Sequence, residues 1–278
     1  MRILILFLLF TPFLVSSQTV CSLESSLRLN QILKELSQKD HSEKSINALN
    51  LEIGKWFLGT PYVEKTLEIP GEEKLVIDFQ GLDCTTYLET VVTLSRLVKY
   101  GNLNFEDYEK ELEFLRYRDG SNTGYPSRLH YFSEWIYENQ KKGILDDITA
   151  EIGGKPYANK PSFMSSNPQY YPQLSNAEYL SLIRETEKEI GVRDYYYIPK
   201  EEIQKLENKI KPGDLIAITA ARNDLDMVHV GFAVEKNGRV HLMHASSGSM
   251  KVEISEKPLS EYLAGFRAQS GVMVCRFR

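Results

Sequence analysis

Asp83-Cys84-Thr85-Thr86-Tyr87-Leu88-Glu89, residues 83–89, is the stretch from which the rest of the chain is read. It follows a turn-like Phe79-Gln80-Gly81-Leu82 and runs into Tyr87, Leu88, Val91, Leu94 and Val98. That spacing of three and four fits one buried face of a helix. Asp83 stands where an N-cap belongs, so Cys84 falls in the first turn. There the helix leaves N–H groups unpaired and carries partial positive charge, a field that favours a thiolate, the nucleophilic form of cysteine. The competing reading is a buried cysteine packing as a small hydrophobe.

The flanks set the compartment. Met1-Arg2, the apolar run Ile3 to Val15 and the small Ser16-Ser17 form a secretory signal over residues 1–17, too short to span a bilayer. The mature chain is expected to be exported, without stable membrane insertion, and to act as a monomer. Gln18-Thr19-Val20 are the wrong residues before Cys21 for a lipidation site. A net charge of −5 gives no reason to expect nucleic acid as a partner. Three cysteines in an exported chain are an odd count. Cys21 and Cys275 could pair or stay free, and either way Cys84 is left over as a candidate reactive thiol.

Taken in order, residues 18 to about 60 read as helical, and Gly59-Thr60-Pro61-Tyr62 breaks the pattern. Leu75 to Phe79 is a short strand leading to the Cys84 helix, which stops near Gly101. Residues from about 102 to 210 read as a mainly helical insertion. Helices are expected over Phe105–Tyr117, Ser127–Gln140, Asn176–Ile190 and Lys200–Ile210, and Lys155 to Ser175 forms a long loop. From Lys211 the texture is all-β, with strands at 215–219, 228–234, 239–245, 250–254 and 271–277 and an Asn237-Gly238 hairpin signal. The expected fold class is α+β: one domain over 18–278, with the Cys84 helix packed on an antiparallel meander of about five strands.

A nucleophilic cysteine needs a base, and the candidates are His41, His130, His229, His241 and His244. Val228, Val230 and Phe232 should face the core, so His229 points the other way beside the small Gly231 and Ala233. His241 and His244 point to opposite faces of the next strand, so at most one can orient His229. Spacing alone does not choose between them. HExxH, paired CxxC and Asp-rich loops are absent from the sequence, so neither a metal nor another cofactor is expected.

Three stretches together resemble the NlpC-type cysteine peptidases, papain-like bacterial cell-wall hydrolases: Asp83-Cys84 opening a helix, His229-Val230-Gly231-Phe232 on a strand, and His244-Ala245-Ser246 on the next. Gly59-Thr60-Pro61-Tyr62 and Pro212-Gly213-Asp214-Leu215 resemble two further segments of that family. The resemblance implies Cys84 as nucleophile, His229 as base and His244, not His241, as the orienting residue. It also implies Tyr62 on the oxyanion side of the cleft, next to Asp83 and the Cys84 backbone N–H. Two departures, Thr85-Thr86 after the nucleophile and the long insertion, together with Arg128 to Trp135, resemble a branch similar to N-acetylmuramoyl-L-alanine amidases acting on muropeptides.

The insertion suggests ligand contacts of its own. Arg128, Tyr131 and Trp135, with Arg118 before them, suit a peptide carboxylate and a sugar face, although Tyr131 and Trp135 also read as core and Arg128 as half of an ion pair. The expected activity is cleavage between the muramyl lactyl group and L-alanine. The rivals are a D-γ-glutamyl-diamino acid endopeptidase, a non-catalytic muropeptide-binding protein, and an acyltransferase using the same triad.

Overall fold

The computed structural model describes residues 19–278, so the proposed signal segment lies outside the described residues. The strands are β1 (Thr19–Cys21), β2 (Leu75–Ile77), β3 (Leu145–Asp147), β4 (Lys155–Tyr157), β5 (Tyr195–Pro199), β6 (Leu215–Ala220), β7 (Met227–Lys236), β8 (Arg239–Ser246), β9 (Lys251–Ile254) and β10 (Gln269–Phe277). The helices are α1 (Leu23–Ser37), α2 (Ile46–Lys55), α3 (Cys84–Tyr100), α4 (Phe105–Arg116), α5 (Phe132–Lys141), α6 (Thr149–Ile152), α7 (Phe163–Ser166), α8 (Ala177–Gly191), α9 (Ile203–Leu206) and α10 (Leu259–Ala264).

α3 begins where its sequence says it should. Asp83 accepts a hydrogen bond from the Thr86 N–H at 2.8 Å, and the Thr86 hydroxyl accepts from the Asp83 N–H at 2.9 Å. This reciprocal cap satisfies two groups that the helix start would leave unpaired, and such a cap contributes about 1 kcal/mol. Tyr87, Leu88, Val91, Val92 and Leu94 are fully buried. Each such side chain contributes roughly 1.5–3 kcal/mol, so burial outweighs capping in holding the helix down. Tyr87 also donates to the Gly54 carbonyl at 3.2 Å, fastening α2 to α3.

The α+β class holds, but the sheet has eight strands rather than about five. The order is β4-β5-β10-β6-β7-β8-β9, with β3 also on β10. The five C-terminal strands are present; the other three come from the insertion. β10 is nine residues long, and its edge away from β6 takes β5 at Gly271–Val272 and β3 at Cys275–Phe277. The C-terminal strands are therefore not a simple meander, because β10 leaves β9 and returns beside β6. The strand expected before the nucleophile helix, β2, lies outside this sheet and pairs in parallel with β1.

One apolar cluster fills the space between the sheet and α1–α5, and includes Tyr87, Val91, Trp135, Phe232 and Met243. A second covers the opposite face, where Ile216, Ile218, Ala233 and Leu242 meet residues of α6, α9 and α10. Sheet residues therefore alternate between two apolar layers.

Glu89 ties the insertion to α3. Its carboxylate accepts from Arg116 Nε at 2.7 Å and from the Trp135 indole N–H at 3.1 Å, and Arg116 also donates to the Val76 carbonyl at 2.7 Å. α5 starts at Phe132 rather than at Ser127, because buried Asp226, just before β7, accepts from the Ser133 N–H at 2.7 Å and supplies a cap from across the fold. Arg116→Met should destabilise the protein by about 3–5 kcal/mol in urea unfolding, because it strands a buried carboxylate. Adding Glu89→Gln to Arg116→Met should recover most of that loss.

Candidate active site

Near the start of β7 the regular ladder gives way. The β6–β7 register slips between Ile218 and Thr219, so Met227 rather than Val228 pairs with Thr219. Val228 packs against the second cluster instead of joining Val230 and Phe232 in the first. β7 and β8 pair from Lys236–Arg239 up to Phe232–Met243. At this end, the thiol of Cys84 in the first turn of α3 hydrogen-bonds with the backbone of Val230.

His229 pairs across the sheet with Ile218, and Gly231 with Ile216, both on the second-cluster face. His244 reaches the same place from β8. Its Nδ1 lies 2.5 Å from Nε2 of His229, with the two rings nearly perpendicular at 87°. Gly231 makes this approach possible: a Cβ there would stand 2.7 Å from the Met243 carbonyl oxygen and 2.9 Å from the His244 Cβ. The open face beside Gly231 is thus taken up by His244. His241 is elsewhere, its Nδ1 2.8 Å from the Ser255 carbonyl oxygen, and His130 lies in the insertion with Nε2 2.8 Å from the Tyr125 carbonyl oxygen.

Tyr62 and Asp83 stand next to the thiol. The Tyr62 N–H donates to the Met250 carbonyl at 3.0 Å, and the Leu82 N–H donates to the Pro61 carbonyl at 3.0 Å, which lays the Pro61–Tyr62 segment between the β8–β9 turn and the approach to α3. Burial, then the nearby Cys84 and Asp83, raise the Tyr62 hydroxyl above its ordinary range. Tyr262 of α10 also comes close, its ring 5.6 Å from that of His244 and within the electrostatic reach of Cys84. Asp83 itself is occupied with the helix cap.

The electrostatics differ from the helix-terminus expectation. Cys84 retains some solvent exposure, yet burial, then the Asp83 carboxylate, push its thiol up to about 12; the bond from Val230 opposes them more weakly. Burial pulls His229 down to about 4, and burial with the neighbouring His229 pulls His244 to about 3. Desolvation acts on both sides against charge, so the thiol and both imidazoles rest neutral.

Of the four insertion residues read as ligand contacts, Arg128, Tyr131 and Trp135 are buried among protein partners and Arg118 is partly exposed. Trp135 is fully buried, stacked on Phe132 and bonded to Glu89. Tyr131 is buried and donates to Glu187 at 2.7 Å. Arg128 is 4% exposed, pairs with Glu68 and Glu73, and donates to the Leu67 carbonyl at 3.0 Å. Arg118 is spent on Glu134 at 2.8 Å and Thr186 at 3.0 Å. Most of their polar atoms already have protein partners; Arg128 Nε has no hydrogen bond and lies 3.5 Å from Glu73, and the Arg118 side chain is 28% exposed. Cys21 and Cys275 are both free thiols, Cys21 on β1 and Cys275 buried in β10. Among the described residues no cluster of three or more His, Cys, Asp or Glu could hold a metal ion, and no helix is long and apolar enough to cross a membrane.

Sequence reading missed Tyr262 and Glu253. Glu253 was within reach of it: the four-residue connection Ser247–Met250 sets the β8–β9 register and puts Glu253 opposite His244. Nothing local to Tyr262 signals its place.

The sequence model of the AmiA-like family, described as N-acetylmuramoyl-L-alanine amidase-like, matches residues 52–269. An N-acetylmuramoyl-L-alanine amidase from Bacteroides uniformis ATCC 8492 is similar at 35% identity and a TM-score of 0.80, over 84% of this chain and 99% of that one. A Bacteroides fragilis protein provisionally named a xylanase is similar at 35% identity and a TM-score of 0.77, over 81% and 99%. A Legionella pneumophila protein shares the fold at 23% identity and a TM-score of 0.70, over 91% and 94%. No curated protein matches the chain.

Because Cys84 rests as a thiol, its alkylation by iodoacetamide in a Cys21→Ser background should be slow at pH 7 and rise about tenfold per pH unit up to pH 11. A rate already at its plateau below pH 8 would instead reveal a preformed thiolate.

Proposed function

The chain belongs to the N-acetylmuramoyl-L-alanine amidase-like family, and from that premise we propose that it is an exported cysteine amidase of the papain-like NlpC type, cutting the amide between the muramyl lactyl group and L-alanine of muropeptides. The observations that support this reading are the His229–His244 contact and a Cys84 thiol, in the first turn of a capped helix, bonded to the backbone of Val230, the residue next to His229.

The chemistry follows from the neutral resting state. Cys84 Sγ attacks the lactyl carbonyl carbon while its proton passes to His229, so the thiolate forms only as the S–C bond forms. Charge then develops on the carbonyl oxygen. The unpaired N–H of Cys84 at the helix start and the Tyr62 hydroxyl are the donors proposed to meet it. The His229 imidazolium, oriented by His244, gives its proton to the leaving L-alanine nitrogen, the C–N bond breaks, and a thioester remains. Water, deprotonated by His229, attacks the thioester; the lactyl carboxylic acid leaves and the proton returns to Cys84. Residues 1–17 are read in the same proposal as a secretory signal, which puts the activity in the periplasm or outside the cell.

Incubation of a purified disaccharide-tetrapeptide with the protein should release an intact tetrapeptide beginning with L-alanine, detected by mass spectrometry. Cys84→Ala should lower the rate by about 10⁴-fold or more. A fragment beginning with the diamino acid would replace this reading with the endopeptidase, and no cleavage by either form would favour a binding protein.

The pH profile is a second check. His229 must be neutral to accept the thiol proton, and burial holds it at about 4. The acid limb of kcat/KM should therefore fall through about pH 4, with activity retained at pH 5.5. A limb at pH 6.5 would mean that the ring is solvated in the working enzyme.

A further inference from the structure

His244 has one ring nitrogen without a hydrogen bond among the described residues. Its Nδ1 is engaged by His229, but Nε2 is wholly buried and has no hydrogen-bond partner among the described residues. Leaving such a group unpaired costs roughly 1–3 kcal/mol. A carboxylate stands next to it: Glu253 is the cross-strand neighbour of His244 in the β8–β9 ladder, and its Oε1 lies 4.0 Å from Nε2. The Glu253 side chain is 30% exposed, so it keeps some solvent while pointing at a ring that has none. Tyr262 borders both groups, edge-on to the His244 ring and within electrostatic reach of Glu253.

We propose that Glu253 is a positioning residue for the cysteine site, drawing the His244 proton to Nε2 and so setting the tautomers of both histidines. This rests on the amidase reading above. With Nε2 of His244 as donor to Glu253, Nδ1 of His244 carries the lone pair. Nε2 of His229 must then donate across the 2.5 Å contact, and Nδ1 of His229 is left as the free basic nitrogen. Without Glu253 the opposite order becomes competitive. His244 would then donate to His229, and the basic nitrogen of His229 would be consumed by the wrong bond. Closing the 4.0 Å gap to a hydrogen bond needs about 1 Å of movement by the partly exposed Glu253 carboxylate.

The test uses the full chain with ¹⁵N-labelled histidine. Long-range proton–nitrogen correlation should show His244 protonated at Nε2, and Glu253→Ala should move that proton toward Nδ1 or mix the two forms. On disaccharide-tetrapeptide, Glu253→Ala should lower kcat by about 10- to 100-fold with KM changed by less than about twofold, a range common for groups that orient a functional histidine. Glu253→Asp should restore part of kcat. An unchanged His244 tautomer, or a kcat within twofold of the parent, in a folded Glu253→Ala protein would overturn the proposal. The nitrogen spectra need no substrate. A parent protein that fails to cut the disaccharide-tetrapeptide but shows the expected tautomer shift would sink the amidase reading and leave the role of Glu253 in ordering the histidine pair standing.

Discussion

Glu89 is the constraint on which the rest of the structure depends. It sits one turn and a half beyond Cys84 on α3, fully buried, and its two oxygens hold Arg116 of α4 and Trp135 of α5. A carboxylate in an apolar layer is tolerated only when paired and bonded, so the helices that satisfy it cannot drift from α3. That fixes the axial position of α3, and with it the place where Cys84 meets the end of the β7–β8 ladder. The insertion is part of this arrangement: it supplies two of the partners of Glu89 and three strands of the sheet.

Burial and the helix terminus compete at the thiol, and their magnitudes decide the outcome. A helix start contributes about 0.3–1 kcal/mol, less than one pH unit on a titrating group. Against this, Cys84 moves from 9.0 to about 12 under burial and the charge of Asp83. The residue that caps α3 so well is therefore also one that opposes a thiolate on its neighbour. His229 and His244, pulled down by the same dry surroundings, match the thiol in being neutral. A neutral set suits a site that separates charge only when substrate arrives.

Local and long-range signals differ in how far they can be read. Asp83 caps α3 as its position suggests, and Ser22, Asn104 and Asn176 cap α1, α4 and α8 in the same way, because a cap depends on the next three residues alone. Arg128, Tyr131 and Trp135 looked like a ligand-binding set, because an arginine among aromatics has the same appearance on a cleft wall as in a core. The difference lies in Glu68, Glu73, Glu187 and Glu89, up to 60 residues away in the chain. No periodicity links those acidic residues to their partners.

The sequence by itself determined the local elements: the capped α3 with Cys84 in its first turn, the C-terminal strands and the hairpin at Asn237-Gly238. These follow from hydrophobic period, capping and turn chemistry, all short-range. Tertiary structure alone decided that β10 recruits β3 and β5 into an eight-stranded sheet, that His244 closes over Gly231 onto His229, and that the thiol rests protonated. Each of these depends on which distant surfaces exclude water together, and desolvation has no signature in a linear stretch of residues.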